Sequence, residues 1–269
     1  MNRTIRLVAT VLLTLAFTSA TAQVKLTKDT IEAPIIGFSF GTLFPSAALS
    51  SDNGMHDLYK APFLNFGVEA LYKTKSNWLL SADGNFTMGA DNLKDREARM
   101  PAVFSNDVVP FVIGTNGVDA TLTAYNRALH FRIGAGRIVT LGDNNPNSGL
   151  SLRLFAGIMQ QKTVFTLTDV NAPQIQDDYA RLYDHQRLGF TLTEGIGYWF
   201  MSNYSNLINI YVAFEVTQCW NHATRDYVID GVMNLNGPDD ASYFDLIYTL
   251  KLCWMFPIKG KTAYDYYFY

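Results

Sequence analysis

The sequence has little of what disulfide-rich proteins, helical membrane proteins and the common metal or phosphate enzymes require. Only two cysteines, Cys219 and Cys253, occur among 269 residues, which is too few for a disulfide scaffold. Beyond the first 22 residues, no run approaches the roughly eighteen apolar residues that a transmembrane helix needs. The HExxH, CxxC and Walker A patterns do not occur. We therefore expect no metal site and no cofactor.

Residues 1–22 have the layout of a secretory signal peptide. Arg3 and Arg6 precede an apolar run over residues 7–17, and residues 20–22 spell Ala-Thr-Ala, the small-x-small pattern before a cleavage site. Cleavage there removes two positive charges and takes the formal net charge from −3 to −5. An N-terminal membrane anchor is the alternative, but the apolar run is too short to span a bilayer. A negatively charged chain is a poor partner for nucleic acid.

Hydrophobic residues recur with a period of two through most of the mature chain, which indicates strands. The clearest segment runs from Phe244 to Phe256. Its Phe, Leu, Tyr and Trp residues share one face, and Asp245, Thr249 and Lys251 lie on the other together with Ile247, Cys253 and Met255. A membrane barrel turns such an apolar face to lipid and keeps the polar face inside. Eight segments follow this pattern: 36–44, 64–72, 78–88, 129–135, 150–158, 188–200, 208–216 and 244–256.

The connections between these segments alternate in length. Three are short and rich in turn residues, at 73–77, 142–149 and 202–206. Four are long and acidic, with fifteen Asp and Glu against six Lys and Arg, over residues 45–61, 90–119, 165–184 and 222–240. Outer-membrane barrels alternate in this way, with short periplasmic turns and long external loops.

The sequence therefore predicts an all-β fold, a transmembrane antiparallel up-and-down β-barrel of eight strands with short periplasmic turns and long extracellular loops. The barrel is expected over residues 33–256, after a periplasmic N-terminal segment at 23–32 and before an aromatic periplasmic tail at 257–269. The alternative is a soluble periplasmic β-protein, in which the same apolar face would form a buried core.

Several charged residues fall on the inward face of the predicted barrel. Eight strands leave an interior just wide enough for side chains to fill, and buried charges must pair. We expect an interior charge network that holds the barrel shut, and a narrow ion path or gate is the alternative. The predicted members are Glu69, Asp83, His130, Arg132, Arg153, Arg187, Glu215, Asp245 and Lys251.

Two other features favour a protein neighbour. Glu194 falls on the outward face of its segment, where lipid is expected, so either a bulge turns it inward or another subunit covers it. The chain ends in aromatic residues that are too apolar to stay free in the periplasm, so the tail is expected to pack on the inner rim or on a partner. The predicted contacts of the tail are Tyr264, Tyr266, Tyr267, Phe268 and Tyr269.

On its leader, strand count, loop alternation and aromatic strand ends, the chain resembles the small OmpA/OmpX-like outer-membrane barrels over about residues 33–256. The resemblance implies architecture, location in the cell outer membrane, and contact with outer-membrane lipids and lipopolysaccharide. The long loops and the tail also look like accessory barrels of larger outer-membrane assemblies, of the secretion or barrel-insertion type. The lipid A deacylases of this class place a His and a Ser two positions apart, and the nearest match here is His222 and Thr224.

Three functions remain open at this point. The first is a non-enzymatic structural or interaction barrel without catalytic residues, as an accessory subunit bound to other outer-membrane or periplasmic proteins. The second is a small channel or a lipid- or ligand-binding barrel, and the third is a lipid A-modifying enzyme. We expect no disulfide between Cys219 and Cys253, because the pattern puts them at opposite ends of neighbouring strands.

Overall fold

A computed structural model describes most of the chain. The described residues are 30–105, 111–142, 145–168, 171–202, 208–224, 228–229, 232–233 and 242–258. The predicted signal peptide and the aromatic residues from Tyr264 onward lie outside them.

Eight long strands form a closed ring, which confirms the predicted fold class. They are β1 (Ala33–Ser46), β2 (Phe63–Lys73), β3 (Trp78–Met88), β5 (Asp119–Thr140), β6 (Gly149–Thr168), β7 (Arg187–Met201), β8 (Asn209–Ala223) and β11 (Ser242–Pro257). The strand order around the ring is β3-β2-β1-β11-β8-β7-β6-β5, and β5 pairs back with β3 to close it. Every neighbouring pair is antiparallel.

The long connections carry short elements of their own. The strand β4 (Val112–Ile113) pairs with the start of β5, and β9 (Val228–Ile229) pairs with β10 (Val232–Met233). The helices are one turn each, at Met55–Leu58, Arg96–Arg99 and Asp177–Ala180, with a 3-10 turn at Pro173–Ile175. Among the described residues, no helix has the length and hydropathy to cross a bilayer.

The outer wall of the ring is apolar, as the period of two predicts. Ile133 is 70% exposed and Phe131 is 57% exposed, although both lie in the middle of a long strand. Aromatic side chains gather toward both ends of the wall, as in the pair Trp220 and Phe244 at the long-loop end and the pair Trp254 and Phe256 at the short-turn end. Such a belt between two aromatic girdles is the surface that a bilayer covers.

The strands β5 and β6 reach well beyond the ring at the long-loop end. Their neighbours stop at the pairs Met88–Arg127 and Arg187–Gln161, so the outer parts of both strands continue as a two-stranded ribbon. Both strands are therefore longer than the predicted segments 129–135 and 150–158. The apolar residues of the ribbon pack against the long loops rather than against lipid.

Two buried apolar clusters lie at the two ends of the barrel. The outer cap packs the long loops against the ribbon and across the outer mouth, and the inner plug fills the mouth at the short-turn end. The outer cap includes Met55, Leu58, Phe63, Leu93, Met100, Val103, Val112, Leu122, Ile175 and Tyr183. The inner plug includes Ile31, Ile35, Leu71, Leu79, Ile138, Trp199, Met201, Tyr211 and Met255.

Candidate functional site

A layer of ionised side chains crosses the lumen between the outer cap and the inner plug. Six strands each contribute one member, since alternate residues of a strand point inward. The layer holds three acids and three bases, so its formal charge is zero. The members of this charge layer are Glu69, Asp83, Arg132, Arg153, Glu215 and Lys251.

Arg132 connects two acids of the charge layer. Its guanidinium donates two hydrogen bonds to Asp83, at 2.8 and 2.6 Å, and a third to Glu215 at 2.8 Å. It also lies over the ring of Phe155, 4.6 Å from the ring centroid. A forked pair of this kind fixes geometry as well as charge. One arginine therefore ties β3 to β8 across the barrel.

Arg153 and Lys251 complete the charge layer. Arg153 pairs with Glu69. The ammonium nitrogen of Lys251 lies 3.4 Å from a carboxylate oxygen of Asp83, and 3.6 Å from both Glu69 and Glu215. Every carboxylate of the layer thus faces at least one cation, as buried charges require.

The lumen has almost no free space at this level. The cavity beside the charge layer measures about 20 Å³, which is room for about one water molecule. His130 lines that cavity, but its Nε2 hydrogen-bonds Thr191 Oγ1 at 2.8 Å rather than an acid. The outer cap, the charge layer and the inner plug are three seals in series.

Asp245 and Arg187 do not join the charge layer. Asp245 accepts hydrogen bonds from the backbone N–H of Met55 at 2.5 Å and from Asn221 at 2.7 Å. Arg187 donates to the carbonyl oxygen of Asn53 at 2.8 Å. Both lie at the outer ends of their strands, where the first long loop folds into the barrel. The single network expected from the sequence therefore divides into two parts. One is the charge layer, and the other is the pair Asp245 and Arg187, here called the latch, which holds the first long loop.

Glu194 lies on the outer wall, with no bulge that turns it inward. Its strand keeps an unbroken register with both neighbours, opposite Leu154 on β6 and Val216 on β8. The side chain is exposed. Of the two outcomes that the sequence left open, the inward turn is wrong.

The candidate catalytic residues lie at the outer end of β8 and inside β1. His222 is the penultimate residue of β8 and Thr224 follows the strand, where its hydroxyl donates to the carbonyl oxygen of Gln186 at 3.2 Å. Residues 37–41 match the Gly-x-Ser-x-Gly pattern of serine hydrolases, but they lie within β1, with Ser39 facing the lumen. That nucleophile instead needs a sharp strand-to-helix turn. Among the described residues, no group of three metal-ligating side chains is arranged to hold an ion.

The two thiols are free and far apart. Cys219 pairs in register with Asp245, and Cys253 pairs with Tyr211. Position 245 and Cys253 are eight residue steps apart along β11, which is about 26 Å at about 3.3 Å per residue and well beyond the roughly 7 Å limit for a disulfide.

His185 gives the outer cap a dependence on pH. It is buried in a loop, and burial together with the nearby Arg187 and Arg99 lowers the pKa of its imidazole to about 3. The folded cap therefore keeps His185 neutral, while an opened segment binds a proton below its ordinary pKa of about 6.5. The contribution of neutral His185 to cap stability is fully present above that pH and is lost as the pH falls toward 3.

Lowering the pH from 7 to 5 should reduce the opening free energy of the 171–186 loop by about 2 kcal/mol. Amide hydrogen exchange, corrected for the intrinsic rate at each pH, measures this change. The control is His185→Asn, since Asn does not titrate and tolerates the left-handed φ of 45° at this position. An equal pH dependence in that variant would contradict the assignment.

A closed ring of eight strands, apolar outside and charged inside, satisfies every strand edge within the ring and presents only apolar side chains over most of its wall. The chain is a small eight-stranded transmembrane β-barrel of the outer-membrane class. This assignment rests on its own strand register and exposure pattern.

No family model and no curated protein matches the sequence. Solved structures with a similar arrangement include Ail, the attachment invasion locus protein of Yersinia pestis, at 10% identity and a TM-score of 0.36, covering 84% of this chain and 97% of that one. Neisserial surface protein A follows at 9% identity and a TM-score of 0.35, covering 82% and 96%. The outer-membrane protein AlkL gives 8% identity and a TM-score of 0.30, covering 90% and 99%.

Proposed function

We propose that this chain is a non-enzymatic structural and interaction barrel, an accessory subunit of a larger outer-membrane assembly of the secretion or barrel-insertion type. The observation that carries the proposal is the lumen, which three seals in series close. A barrel with a filled interior does not conduct, so its outer surfaces are left to do its work.

Two of those surfaces fit protein neighbours. Glu194 is exposed on a wall that otherwise meets lipid, where a charged group is costly unless another group pairs with it. The tail residues Tyr264, Tyr266, Tyr267, Phe268 and Tyr269 would bury apolar area against a second periplasmic or membrane protein. The lipid-facing belt meets outer-membrane lipids, and the loops meet lipopolysaccharide.

The test is gentle detergent extraction of outer membranes through a tag in the 165–184 loop, followed by mass spectrometry. We expect a partner in stoichiometric amount that is lost when residues 264–269 are replaced by six serines. The matched control is the chain with an intact tail and the same tag. A lone monomer from both chains would overturn the accessory role.

The channel alternative predicts current through a planar bilayer. We expect the intact chain to give no stable conductance steps, because the charge layer leaves a cavity of only about 20 Å³. A 16-stranded porin in the same bilayer is the positive control. Reproducible steps that disappear on Lys251→Met would favour a channel instead.

A further inference from the structure

The wall around Glu194 places one charged side chain in the middle of an otherwise apolar row. Outward residues of β7 run Leu188, Phe190, Leu192, Glu194, Ile196, Tyr198 and Phe200. Glu194 is the middle member of this series, with aromatic residues toward both ends. Its carboxylate therefore lies near the middle of the hydrocarbon layer, where no lipid headgroup reaches it.

An amide side chain, Gln218, lies near Glu194 on the next strand of the same wall. Gln218 pairs in register with Leu192, and Glu194 pairs with Val216, so Glu194 and Gln218 are diagonal neighbours across β7 and β8. Diagonal neighbours are about 7–8 Å apart and face the same side. The patch thus carries a carboxylate that accepts hydrogen bonds and an amide that donates them.

The two sides of this patch have opposite shapes. Toward β6 the wall is a shallow apolar groove, because Ala135 and Ala156 leave space between Leu80, Leu154 and Leu192. Toward β11 the wall rises in the stacked rings of Phe214 and Tyr248, whose centroids are 5.8 Å apart.

We infer that the wall formed by β6, β7 and β8 around Glu194 is the interface between two copies of this chain. Both copies insert in the same direction, so a two-fold axis relates them along the membrane normal. Such an axis brings the patch onto itself, with Glu194 of each copy facing Gln218 of the other. It also sets the groove of each copy against the aromatic ridge of its neighbour.

A second copy fits better than an unrelated protein. The described arginines of the outward face, Arg127 and Arg137, lie at the two ends of the part of β5 that pairs with β3, so Gln218 is the donor beside the carboxylate in the middle of this wall. An unrelated partner must bring its own donor to that depth, whereas a second copy already carries one. The inference rests on the proposed function of an interaction barrel, and it identifies one protein neighbour of the barrel as a second copy of the chain.

Cysteine cross-linking in native outer membranes tests the geometry. Ile196→Cys places a thiol on the patch, and Val68→Cys places one on the opposite wall, with the two side chains 48% and 52% exposed. The native Cys219 and Cys253 are buried and face the lumen, so they do not compete. A short bismaleimide should join Ile196→Cys chains into a dimer and leave Val68→Cys chains single.

Fluorescence photobleaching of the full chain in phospholipid vesicles, at several protein-to-lipid ratios, then measures the dissociation constant. Glu194→Leu and Gln218→Leu should each raise it roughly tenfold, since each removes two interfacial hydrogen bonds in a low-dielectric medium. Glu194→Gln should keep most of the affinity, because an amide still accepts from Gln218. All three changes lie on the wall, and the heat-induced gel shift checks that each barrel is folded.

Three results would overturn the inference. They are a monomer at every ratio, equal cross-linking through Val68→Cys, or cross-linking of Ile196→Cys only to a different protein. The third result would leave the accessory role standing with another neighbour. If no other protein co-purifies with the intact chain, the accessory role is wrong even if the dimer forms.

Discussion

Replacing Arg132 by methionine should lower the free energy of unfolding by about 3–5 kcal/mol. Methionine fills much of the same volume but leaves Asp83 and Glu215 with only Lys251 between them. Removing one partner of a buried ion pair costs this much, because an uncompensated charge stays in a low-dielectric interior. The change in unfolding free energy is measured by urea unfolding of the barrel in lipid vesicles, with the heat-induced gel shift as the readout of the folded fraction.

The matched control is Arg137→Met on the same strand. Arg137 points outward, over the ring of Trp78 at 5.6 Å, and no buried charge depends on it. Its loss should change the unfolding free energy by less than about 1 kcal/mol. Equal effects of the two substitutions would contradict the role given to the charge layer.

A double-mutant cycle separates the pair from its neighbours. If Arg132 and Glu215 interact as their 2.8 Å contact indicates, adding Glu215→Gln to Arg132→Met should cost far less than it costs alone. Strictly additive losses would mean that Lys251 carries the attraction instead. The cycle also tests whether the layer acts as one unit.

The strands and their facing could be predicted from the sequence because the pleat sets both. A strand repeats every two residues, so the alternation from Phe244 to Phe256 is enough to assign a lipid face and a lumen face. The alternation of short and long connections then orients the barrel in the membrane. Both signals are local, and neither depends on which strands become neighbours.

The partners inside the lumen could not be predicted, because they depend on the closed ring. Arg132 meets Glu215 across 83 positions of sequence. Alternation tells that both point inward, but it does not give their relative depth. The same gap made Asp245 and Arg187 look like members of one network with the charge layer.

The outer cap could have been predicted from apolar residues in the long connections, which the search for regular periods did not detect. Met55, Leu58, Leu93 and Met100 are apolar residues in connections that were predicted to be long, acidic external loops. They have no regular period, since one-turn helices and bends set their directions. Apolar side chains in long loops are costly to expose, and that cost is the evidence for a cap over the mouth.

Replacing Asp245 by alanine should open the first long loop of the outer cap. The Asp245 carboxylate accepts hydrogen bonds from Met55, Asn221 and Gln161. Alanine leaves these buried donors without that acceptor, which lowers the opening free energy of the loop by about 3 kcal/mol. Trypsin cleavage after the exposed Lys60 should then be about a hundredfold faster, as followed by mass spectrometry of the cut chain.

The control for this change is Asp57→Ala, in the same loop. Its carboxylate is 47% exposed and lies 3.7 Å from Arg99, so it contributes little to holding the loop. Cleavage at Lys60 as fast in that variant as in Asp245→Ala would show that any lost acid loosens the loop. Slow cleavage in both would contradict the latch.

The open loop of Asp245→Ala should still leave the barrel closed to ions. The charge layer below it depends on Arg132, and the inner plug is built around Trp199, which is fully buried against Tyr211. Within the described part of the chain, neither shares a hydrogen bond with Asp245. The variant should therefore be cut by trypsin outside the membrane and carry no current through it. Current through Asp245→Ala would mean that the outer cap alone closes the lumen. The charge layer and the inner plug would then not block ions, and the argument from a filled interior to the accessory role would rest on one loop.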